Sequence, residues 1–433
     1  MSPPLAGMLA AVQRVLGEEP HLAYFVPGRV EVLGKHTDYA GGRSLLAAVE
    51  QGFVVASRPR GDRRVEVHDV EGGRLAALAL DPALPEQAEA WARYPATVLR
   101  RLARNFPEAS TGADVAFLSN LPHASGMSSS SAFMIAIYLA VAGLNGLDRL
   151  EAYRRSIRSR EDLAGYLGTI ENGQSFGELA GDRGVGTFGG SEDHTAILEG
   201  REGELGIYSF CPVRHERQVP FPEGYGLVVA VSGVVAEKTG RAMALYNRAS
   251  LAARAVLATW NRASGRADSC LGRAVAEAGP APIREAIASA AGGEFEPRDL
   301  ADRFEQFYQE SVVILPAAAQ ALADGRLEEF GRLVDGSQDL AERLLRNQVP
   351  ETIALARSAR ELGAVAASAF GAGFGGSVWA LLPEAGAAPF AERWQRAYKA
   401  AFPGAASAAR FLFTRPGPGA FRLRLSPGAA GGA

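Results

Sequence analysis

Apolar residues recur in several short segments with the β-branched and aromatic character that is typical of strands. The pattern is clearest at residues 24–34 and 53–70, where apolar and polar side chains alternate. Residues 114–122, 225–233 and 375–383 are further apolar runs of strand length. We therefore predict strands in all five segments.

Other segments carry apolar residues at helical spacing. Residues 89–106 predict an amphipathic helix, residues 128–146 a buried helix, and residues 237–360 a mostly helical region. The first twenty residues predict an amphipathic helix and lack the basic flank of a signal peptide. The last stretch, 417–433, predicts a frayed tail.

The order of these elements predicts an α+β protein of two halves. The composition changes near residues 216–226, which contain two prolines and a Gly-Tyr-Gly turn. We therefore expect an N-terminal domain at 1–220 and a C-terminal domain at 221–433.

The composition is that of a globular protein with a large core, because 47% of its 433 residues are hydrophobic and 21% are charged. A net charge of −3 gives no electrostatic reason to expect nucleic acid or a membrane as a partner. Cys211 and Cys270 are too few for a disulfide framework or a zinc site, so we expect a cytoplasmic protein.

The stretch PGRVEVLGKHTDYAGG, residues 27–42, differs from a phosphate-binding P-loop by one residue of spacing. Five residues instead of four separate Gly28 from Gly34, and His36 replaces the Ser or Thr that would bind magnesium. The pattern argues against a P-loop and leaves the polar cluster at residues 35–39 without a role.

A second stretch, LPHASGMSSSSAF at residues 121–133, places a loop of small residues before a Ser-rich helix start. Free backbone N–H groups and the helix dipole at such a terminus bind phosphate. A capped helix is the alternative, but four consecutive serines exceed what one cap requires.

A third stretch, FGAGFGGSVWALL at residues 370–382, contains a formal G-x-G-x-x-G. In dinucleotide-binding folds a strand precedes these glycines and a helix follows, whereas here a strand follows. The segment predicts either a loop that lets the backbone approach a ligand or a tight structural turn.

A fourth stretch, GTFGGSEDHTAIL at residues 186–198, presents Asp193 after a Gly-rich loop. A carboxylate that orients or deprotonates a hydroxyl group is what phosphoryl transfer to an alcohol requires. A solvated acidic turn is the alternative.

Together, these stretches resemble the GHMP kinases, the superfamily of galacto-, homoserine, mevalonate and phosphomevalonate kinases. Residues 28–42 are similar to the galactokinase signature, usually Gly-Arg-Val-Asn-Leu-Ile-Gly-Glu-His-Thr-Asp-Tyr-Asn-Gly-Gly. The resemblance extends from Pro27 to about Leu382. It implies a two-domain GHMP-kinase fold, with an N-terminal mixed α/β domain (ribosomal protein S5 domain 2-like) and a C-terminal ferredoxin-like α+β domain with added helices.

The resemblance also implies an ATP-dependent sugar 1-kinase, with a role for each matching position. Asp193 would act as the catalytic base, paired with Arg29 across the transferred phosphoryl group. The sugar would be bound by Lys35, His36, Asp38, Gly190 and Tyr246. ATP would be bound by Trp91, Tyr94, Gly126, Ser128, Ser129, Ser130, Ser131 and Gly373, and Mg²⁺ by Ser130 and Glu171.

Among the positions that depart from the family pattern, three bear on the roles given above. Lys35 replaces a Glu, Ala124 replaces a glycine of the phosphate loop, and His194 replaces a Gln beside the catalytic Asp. An ammonium group donates hydrogen bonds but cannot accept them. Lys35 therefore predicts an acidic sugar such as galacturonate, unless it turns away to pair with Glu31 or Glu50 and leaves galactose as the substrate.

Two functional classes follow from the resemblance. One is an active sugar kinase, and the other is a catalytically silent relative that senses sugar and ATP and contacts a protein partner. We expect the enzyme because Asp193, Arg29 and Glu171 are retained. The expected partners are a sugar and ATP, without nucleic acid or membrane, in a monomer or homodimer.

Overall fold

The structure is a computed structural model that describes residues 2–17, 19–122, 125–234, 240–290 and 293–425. Ala124 of the phosphate loop lies outside these ranges, as does the end of the predicted tail.

The described strands form two separate sheets. In chain order the strands are β1 (Leu22–Leu33), β2 (Arg43–Pro59), β3 (Arg64–Asp69), β4 (Arg74–Ala79), β5 (Ala113–Ser119), β6 (Glu204–Ser209), β7 (Arg214–Pro220), β8 (Tyr225–Val231), β9 (Ala366–Phe370), β10 (Ser377–Pro383), β11 (Arg410–Thr414) and β12 (Phe421–Arg422). All five predicted strand segments are confirmed.

The larger sheet has the order β12-β1-β2-β5-β3-β4, and β6 joins it through β2 and in turn pairs with β7. The long strand β2 pairs with β6 near its start and with β5 near its end. The pair β3–β5 is parallel. The smaller sheet has the order β11-β8-β10-β9 and is antiparallel throughout.

The described helices cover both sheets and form a separate helical layer. They are α1 (Pro3–Leu16), α2 (Arg93–Asn105), α3 (Ser129–Leu144), α4 (Glu151–Ser156), α5 (Arg160–Asn172), α6 (Glu192–Glu199), α7 (Gly240–Ser264), α8 (Leu271–Ala278), α9 (Pro280–Ala288), α10 (Pro297–Tyr308), α11 (Leu315–Ala323), α12 (Leu327–Leu340), α13 (Pro350–Glu361), α14 (Ala387–Ala401) and α15 (Pro403–Ala406). Within the described part of the chain, none is long and apolar enough to cross a membrane.

Alternation along β2 explains how helices cover both faces of the larger sheet. Val54 packs in a cluster with α1, whereas its neighbour Val55 packs in the main core with α3, because successive side chains of a strand point to opposite faces. Helix α3 is apolar on every side and buried from Ala132 to Tyr138, which matches the predicted buried helix. Its position across β1 and β2 brings its Ser-rich start beside β1.

The tail is ordered at β12, where Phe421 pairs with Phe25 of β1 and their ring centroids lie 5.6 Å apart, so the prediction of a frayed tail is wrong for these residues.

The strands change sheets between Pro220 and Tyr225. One hydrophobic core nevertheless contains Val55 and Trp379 from the two sheets, so the domain division at residue 220 stays a prediction.

Candidate active site

A cavity of about 740 Å³ lies where loops from both sheets meet. This volume is within the range of small-molecule sites. The predicted site residues that line it are Arg29, His36, Asp38, Trp91, Tyr94, Gly126, Ser128, Ser129, Ser130, Glu171, Gly190, Asp193, Tyr246 and Gly373. Two predicted residues, Lys35 and Ser131, do not line it.

Arg29 of β1 and Asp193 of α6 form an ion pair in this cavity. Arg29 is 4% exposed, and its Nε donates to Asp193 Oδ1 at 2.8 Å, while Nη1 donates to the carbonyl oxygen of Gly126. Burial alone would lower the pKa of Arg29, but the carboxylates of Asp193, Glu192 and Glu31 raise it. Asp193 lies in the first turn of α6, where the helix dipole also stabilises a carboxylate.

Asp38 lies in the loop after β1 and faces Gly190. Its Oδ2 accepts a hydrogen bond from the backbone N–H of Glu192 at 3.2 Å. Burial raises the pKa of Asp38 to about 6, against backbone hydrogen bonds from Tyr39 and Glu192 that lower it. A Cβ atom at Gly190 would lie 2.4 Å from Asp38 Oδ2, so this close approach requires glycine.

His36 connects the loop after β1 to the loop between β9 and β10. Its Nε2 lies 3.0 Å from the carbonyl oxygen of Ala372, and its Nδ1 lies 2.8 Å from the Tyr39 hydroxyl. Because a carbonyl only accepts, Nε2 carries the proton and Nδ1 accepts from Tyr39. Burial and the charge of Arg303 lower the pKa of His36 to about 3, so the ring is neutral at neutral pH.

Tyr246 of α7 packs against this loop from the other side. Its ring centroid lies 5.1 Å from that of His36 and 6.5 Å from that of Tyr39. Burial and the Asp38 carboxylate raise the pKa of Tyr246 well above its ordinary value. The Tyr246 hydroxyl therefore keeps its proton and can donate a hydrogen bond to a ligand.

Lys35 does not face the cavity, so its predicted contact with the sugar is wrong. Its side chain is 1% exposed, and Nζ donates to Ser337 Oγ at 2.9 Å. Ser337 Oγ donates in turn to Glu310 Oε1 at 3.0 Å, and the same oxygen accepts the backbone N–H groups of Gly34 and Lys35. The buried carboxylate of Glu310 thus holds the start of the loop and attracts the ammonium group behind it.

The start of α3 presents Ser128, Ser129 and Ser130 to the cavity. The Oγ of Ser128 has no hydrogen-bond partner among the described residues, and the N–H groups of the first helical turn have none within the helix. Such a terminus suits phosphate oxygens. Ser131 is fully buried and donates to Glu171 Oε2 at 2.8 Å, so its assignment to ATP is wrong and it positions Glu171 instead.

Ser130 and Glu171 supply hard oxygen atoms at this end of the cavity. A magnesium ion bound with a nucleotide needs one or two protein oxygens besides phosphates and water, so this pair fits such an ion. No cluster of three or more His, Cys, Asp or Glu suited to a metal occurs in the described ranges. His194, which replaces the family's Gln, is buried with Nε2 3.4 Å from Glu171 Oε2.

Trp91 and Tyr94 line another part of the cavity. The centroid of the Trp91 ring lies 6.3 Å from that of Phe117 and 6.5 Å from that of Phe133. The guanidinium carbon of Arg74 lies 4.9 Å from the Trp91 centroid. This partly buried aromatic surface can hold a flat base by stacking.

The glycine-rich loop joins two paired strands, β9 and β10, and no helix follows it. The dinucleotide-binding alternative therefore fails. Gly371 and Gly373 have positive φ angles of 79° and 78°. A Cβ atom at Gly373 would lie 2.3 Å from the carbonyl oxygen of Asn347, and one at Gly371 would lie 3.1 Å from that of Gly126. The loop therefore packs against Gly126 at Gly371 and against Asn347 at Gly373.

Four buried charged residues around the cavity were not predicted as site residues from the sequence: Glu31, Glu192, Arg303 and Glu310. Arg303 donates to the backbone carbonyl of His36, and the other three are carboxyl groups close to Arg29 or Lys35. For Glu31 a signal was present, since it is a charged residue two positions after Arg29 in an otherwise apolar strand.

Comparison with known proteins gives consistent matches along the chain. Family models match for the galactokinase galactose-binding signature at residues 13–59, the GHMP kinases N terminal domain at 93–175 and the GHMP kinases C terminal at 318–400. The galactokinase of Thermococcus kodakarensis is 32% identical over 359 residues, which cover 83% of this chain and 88% of that protein. The galactokinase of Streptococcus mutans is 27% identical over 405 residues, or 90% and 92% of the two chains.

The solved structures support the same fold. Lactococcus lactis galactokinase complexed with galactose matches with a TM-score of 0.78 at 22% identity, over 97% of this chain and 100% of that chain. A mevalonate kinase from Methanococcus jannaschii matches with a TM-score of 0.55 at 12% identity, over 92% and 98%. The two-domain fold predicted from the sequence is confirmed.

Proposed function

The chain belongs to the galactokinase branch of the GHMP kinases, and we propose that this sugar kinase transfers the terminal phosphoryl group of ATP to the anomeric hydroxyl of galactose or a closely related neutral hexose. The observation that carries the proposal is the Arg29–Asp193 ion pair. Arg29 also donates to the carbonyl oxygen of Gly126 in the phosphate loop. The backbone N–H of Glu192, the residue before Asp193, donates to Asp38 of the loop after β1, called the sugar loop below.

In this reaction Asp193 accepts the proton of the anomeric hydroxyl while the hydroxyl oxygen forms a bond to the terminal phosphorus. The bond from that phosphorus to the bridging oxygen of ADP breaks, and ADP leaves with the electron pair. Arg29, whose guanidinium holds Asp193 in position, donates to the oxygens on which negative charge develops. Positioning and electrostatic stabilisation are the main contributions a protein makes to phosphoryl transfer.

The nucleotide is proposed to lie along the other half of the cavity. Ser128, Ser129 and the N–H groups of the first turn of α3 bind the phosphates, and Trp91 with Tyr94 stacks on the adenine. Mg²⁺, when bound, neutralises charge on the phosphate oxygens. Ser130 and Glu171 are the residues that would hold it.

The sugar is proposed to lie against Asp38, His36, Gly190 and Tyr246, where Asp38 offers a carboxylate and Tyr246 a phenolic hydroxyl, while the His36 ring forms part of the wall and holds the loop in place. Galacturonate was expected only because an ammonium group was expected at its carboxylate. Lys35 donates to Ser337 outside the cavity, so that reason is removed. A neutral sugar is therefore the proposed substrate.

ADP release over a panel of galactose, glucose, mannose and galacturonate tests this proposal, with ³¹P NMR to identify the product. We expect galactose to give the largest kcat/KM and an anomeric phosphate. A folded protein that binds ATP and sugar yet releases no ADP with any of them would instead favour the catalytically silent sensor.

The fit between Gly190 and Asp38 gives a test of the sugar loop. Gly190→Ala should raise the KM for the sugar by about 100-fold, because a displaced contact at a reacting site costs about that much, while the KM for ATP stays within about threefold. Gly61→Ala is the control, since a Cβ atom there would meet nothing within 4 Å. An unchanged sugar KM in a folded Gly190→Ala protein would contradict the assignment.

The Ser-rich helix start gives a test of the nucleotide site. Ser130→Ala should raise the KM for Mg·ATP by about 10-fold, since it removes one hydroxyl ligand, and calorimetry should show sugar binding nearly unchanged. Ser159→Ala is a matched control because Ser159 begins another helix, α5, and accepts from the Asp162 N–H. If sugar affinity falls and nucleotide affinity does not, the phosphates lie elsewhere.

A further inference from the structure

Glu31 is a buried carboxylate that lines the cavity and has an unused acceptor. It follows Arg29 by two positions on β1, so the two side chains lie on the same face of the strand. The residue is 2% exposed, yet it is part of the cavity wall. Its Oε1 is buried and has no hydrogen-bond partner among the residues that the structure describes. A buried oxygen without a partner is costly unless a ligand supplies one.

Four neighbouring groups influence the protonation of Glu31. Burial raises the pKa of Glu31 to about 6, and the charge of Glu310 adds to this rise. The cations of Lys35 and Arg29 and a hydrogen bond from Glu192 act in the opposite direction and limit it. Burial and the Glu31 charge raise the pKa of Glu192 well above its usual range, so Glu192 holds the proton of this pair. Ser44 Oγ donates to Glu192 Oε2 at 2.7 Å and keeps that side chain in place.

We propose that Glu31 is a specificity-determining residue of the sugar pocket, whose Oε1 accepts a hydrogen bond from a hydroxyl group of the substrate. This inference rests on the sugar-kinase function proposed above. An ionised carboxylate accepts hydrogen bonds and donates none. The group that it faces must therefore be a donor, and a second carboxylate at that place is repelled.

The position of Glu31 on β1 indicates which part of the sugar it contacts. Arg29 lies with Asp193 at the anomeric oxygen, and side chains two apart on a strand are separated by about 6.8 Å. We place the sugar ring along β1, between Arg29 and the loop that carries His36 and Asp38, so Glu31 lies beyond the 2-hydroxyl and toward the far side of the ring. The hydroxyl that it accepts from is thus at carbon 3, 4 or 6.

Lys35 influences the charge of Glu31 from outside the cavity. Its ammonium does not line the pocket but lowers the pKa of Glu31 through its charge. Glu31, on the cavity wall, stands where the galactokinase signature has a neutral Asn. Lys35, behind the wall, stands where the signature has an acidic Glu. The acceptor for a sugar hydroxyl lies on β1 in this chain.

The first arm of the test uses the wild-type protein and needs no variant. We expect one of 3-, 4- and 6-deoxygalactose to show a kcat/KM about 100-fold below that of galactose, because a charge-assisted hydrogen bond is lost. Galacturonate should be rejected by at least about 10-fold. If none of the three deoxy sugars loses more than about threefold, or if galacturonate is preferred, the proposal is overturned.

The second arm compares Glu31→Gln with wild type, and 2-deoxygalactose serves as the internal reference. The discrimination against the sensitive deoxy sugar should fall to about 10-fold, since a neutral acceptor replaces a charged one. The ratio of kcat/KM for galacturonate to that for galactose should rise by about 10-fold. A structural role would lower all activities together, so ratios that stay within twofold of wild type contradict the proposal.

Asp114→Asn is the matched variant, because Asp114 is a buried carboxylate of β5 that pairs with Arg58 and Arg60 and does not line the cavity. It should leave the selectivity ratios unchanged; a shift as large as that of Glu31→Gln would overturn the assignment to Glu31. If Glu31→Gln does not fold, the wild-type arm decides. A wild type without activity on any sugar would contradict the proposed function, whereas activity without discrimination would contradict only the role of Glu31.

Discussion

Asp193→Asn should lower kcat by about 1,000-fold and leave the affinity for ATP within about twofold. General-base catalysis contributes about 100- to 10,000-fold, and an amide cannot accept the proton of the anomeric hydroxyl. The nucleotide contacts assigned to α3 and to Trp91 do not involve this side chain. The measurements are single-turnover phosphoryl transfer and calorimetric ATP binding, which separate chemistry from binding.

Asp162→Asn is the control for this substitution, because Asp162 also lies in the first turn of a helix, α5, but does not line the cavity. It should retain kcat within about twofold. A thermal unfolding curve should accompany Asp193→Asn, since the Arg29 guanidinium loses its ionic partner. A folded Asp193→Asn protein that keeps most of its kcat would remove Asp193 from the role of base.

Short-range patterns predicted the elements of this fold well. Strand β1 and helix α3 each follow from apolar residues within about fifteen positions, and the burial of α3 follows from its lack of a polar face. The Arg29–Asp193 pair was predicted through the family resemblance, although 164 residues separate the two in the chain. No local pattern contains that information.

Ser131 shows an error that helix geometry could have prevented. Successive residues of an α-helix are rotated by about 100°, so four consecutive serines cannot all face one cavity. Ser128, Ser129 and Ser130 line the cavity, and Ser131 turns beneath them to Glu171. The strand β12 is a different case, because its pairing with β1 joins Phe421 to Phe25 and could not be predicted from either segment alone.

Lys35 is the most informative difference between prediction and structure. Its chemistry was judged from the loop that contains it, where an ammonium group beside His36 and Asp38 suggested a contact with the sugar. The groups that hold it, Ser337 and Glu310, follow it by about 300 residues. Their positions depend on how the helices from α10 to α12 pack behind the loop, which the loop sequence cannot reveal.

The buried position of Lys35 predicts an effect on stability. Lys35→Met keeps the length of the side chain and removes its charge. Glu31 Oε1 and Glu310 Oε2 are buried without hydrogen-bond partners in the described part of the chain, and the nearby Arg29 is already paired with Asp193. Removing a compensating charge from a buried group costs about 3 kcal/mol or more. We expect a loss of that size in the free energy of unfolding, measured by denaturant titration.

Lys399→Met is the matched control, since Lys399 is exposed on α14 and its loss should change the free energy of unfolding by less than about 0.5 kcal/mol. The double variant Lys35→Met/Glu310→Gln should recover part of the stability lost in Lys35→Met, because the buried groups on both sides of Ser337 are then neutral. If Lys35→Met instead unfolds like wild type and selectively loses turnover of an acidic sugar, the ammonium group reaches the substrate. A loss of stability in Lys35→Met that is partly recovered in the double variant would identify Lys35 as a structural cation. Its charge would then be what allows the buried carboxylates around it, Glu31 among them, to remain ionised.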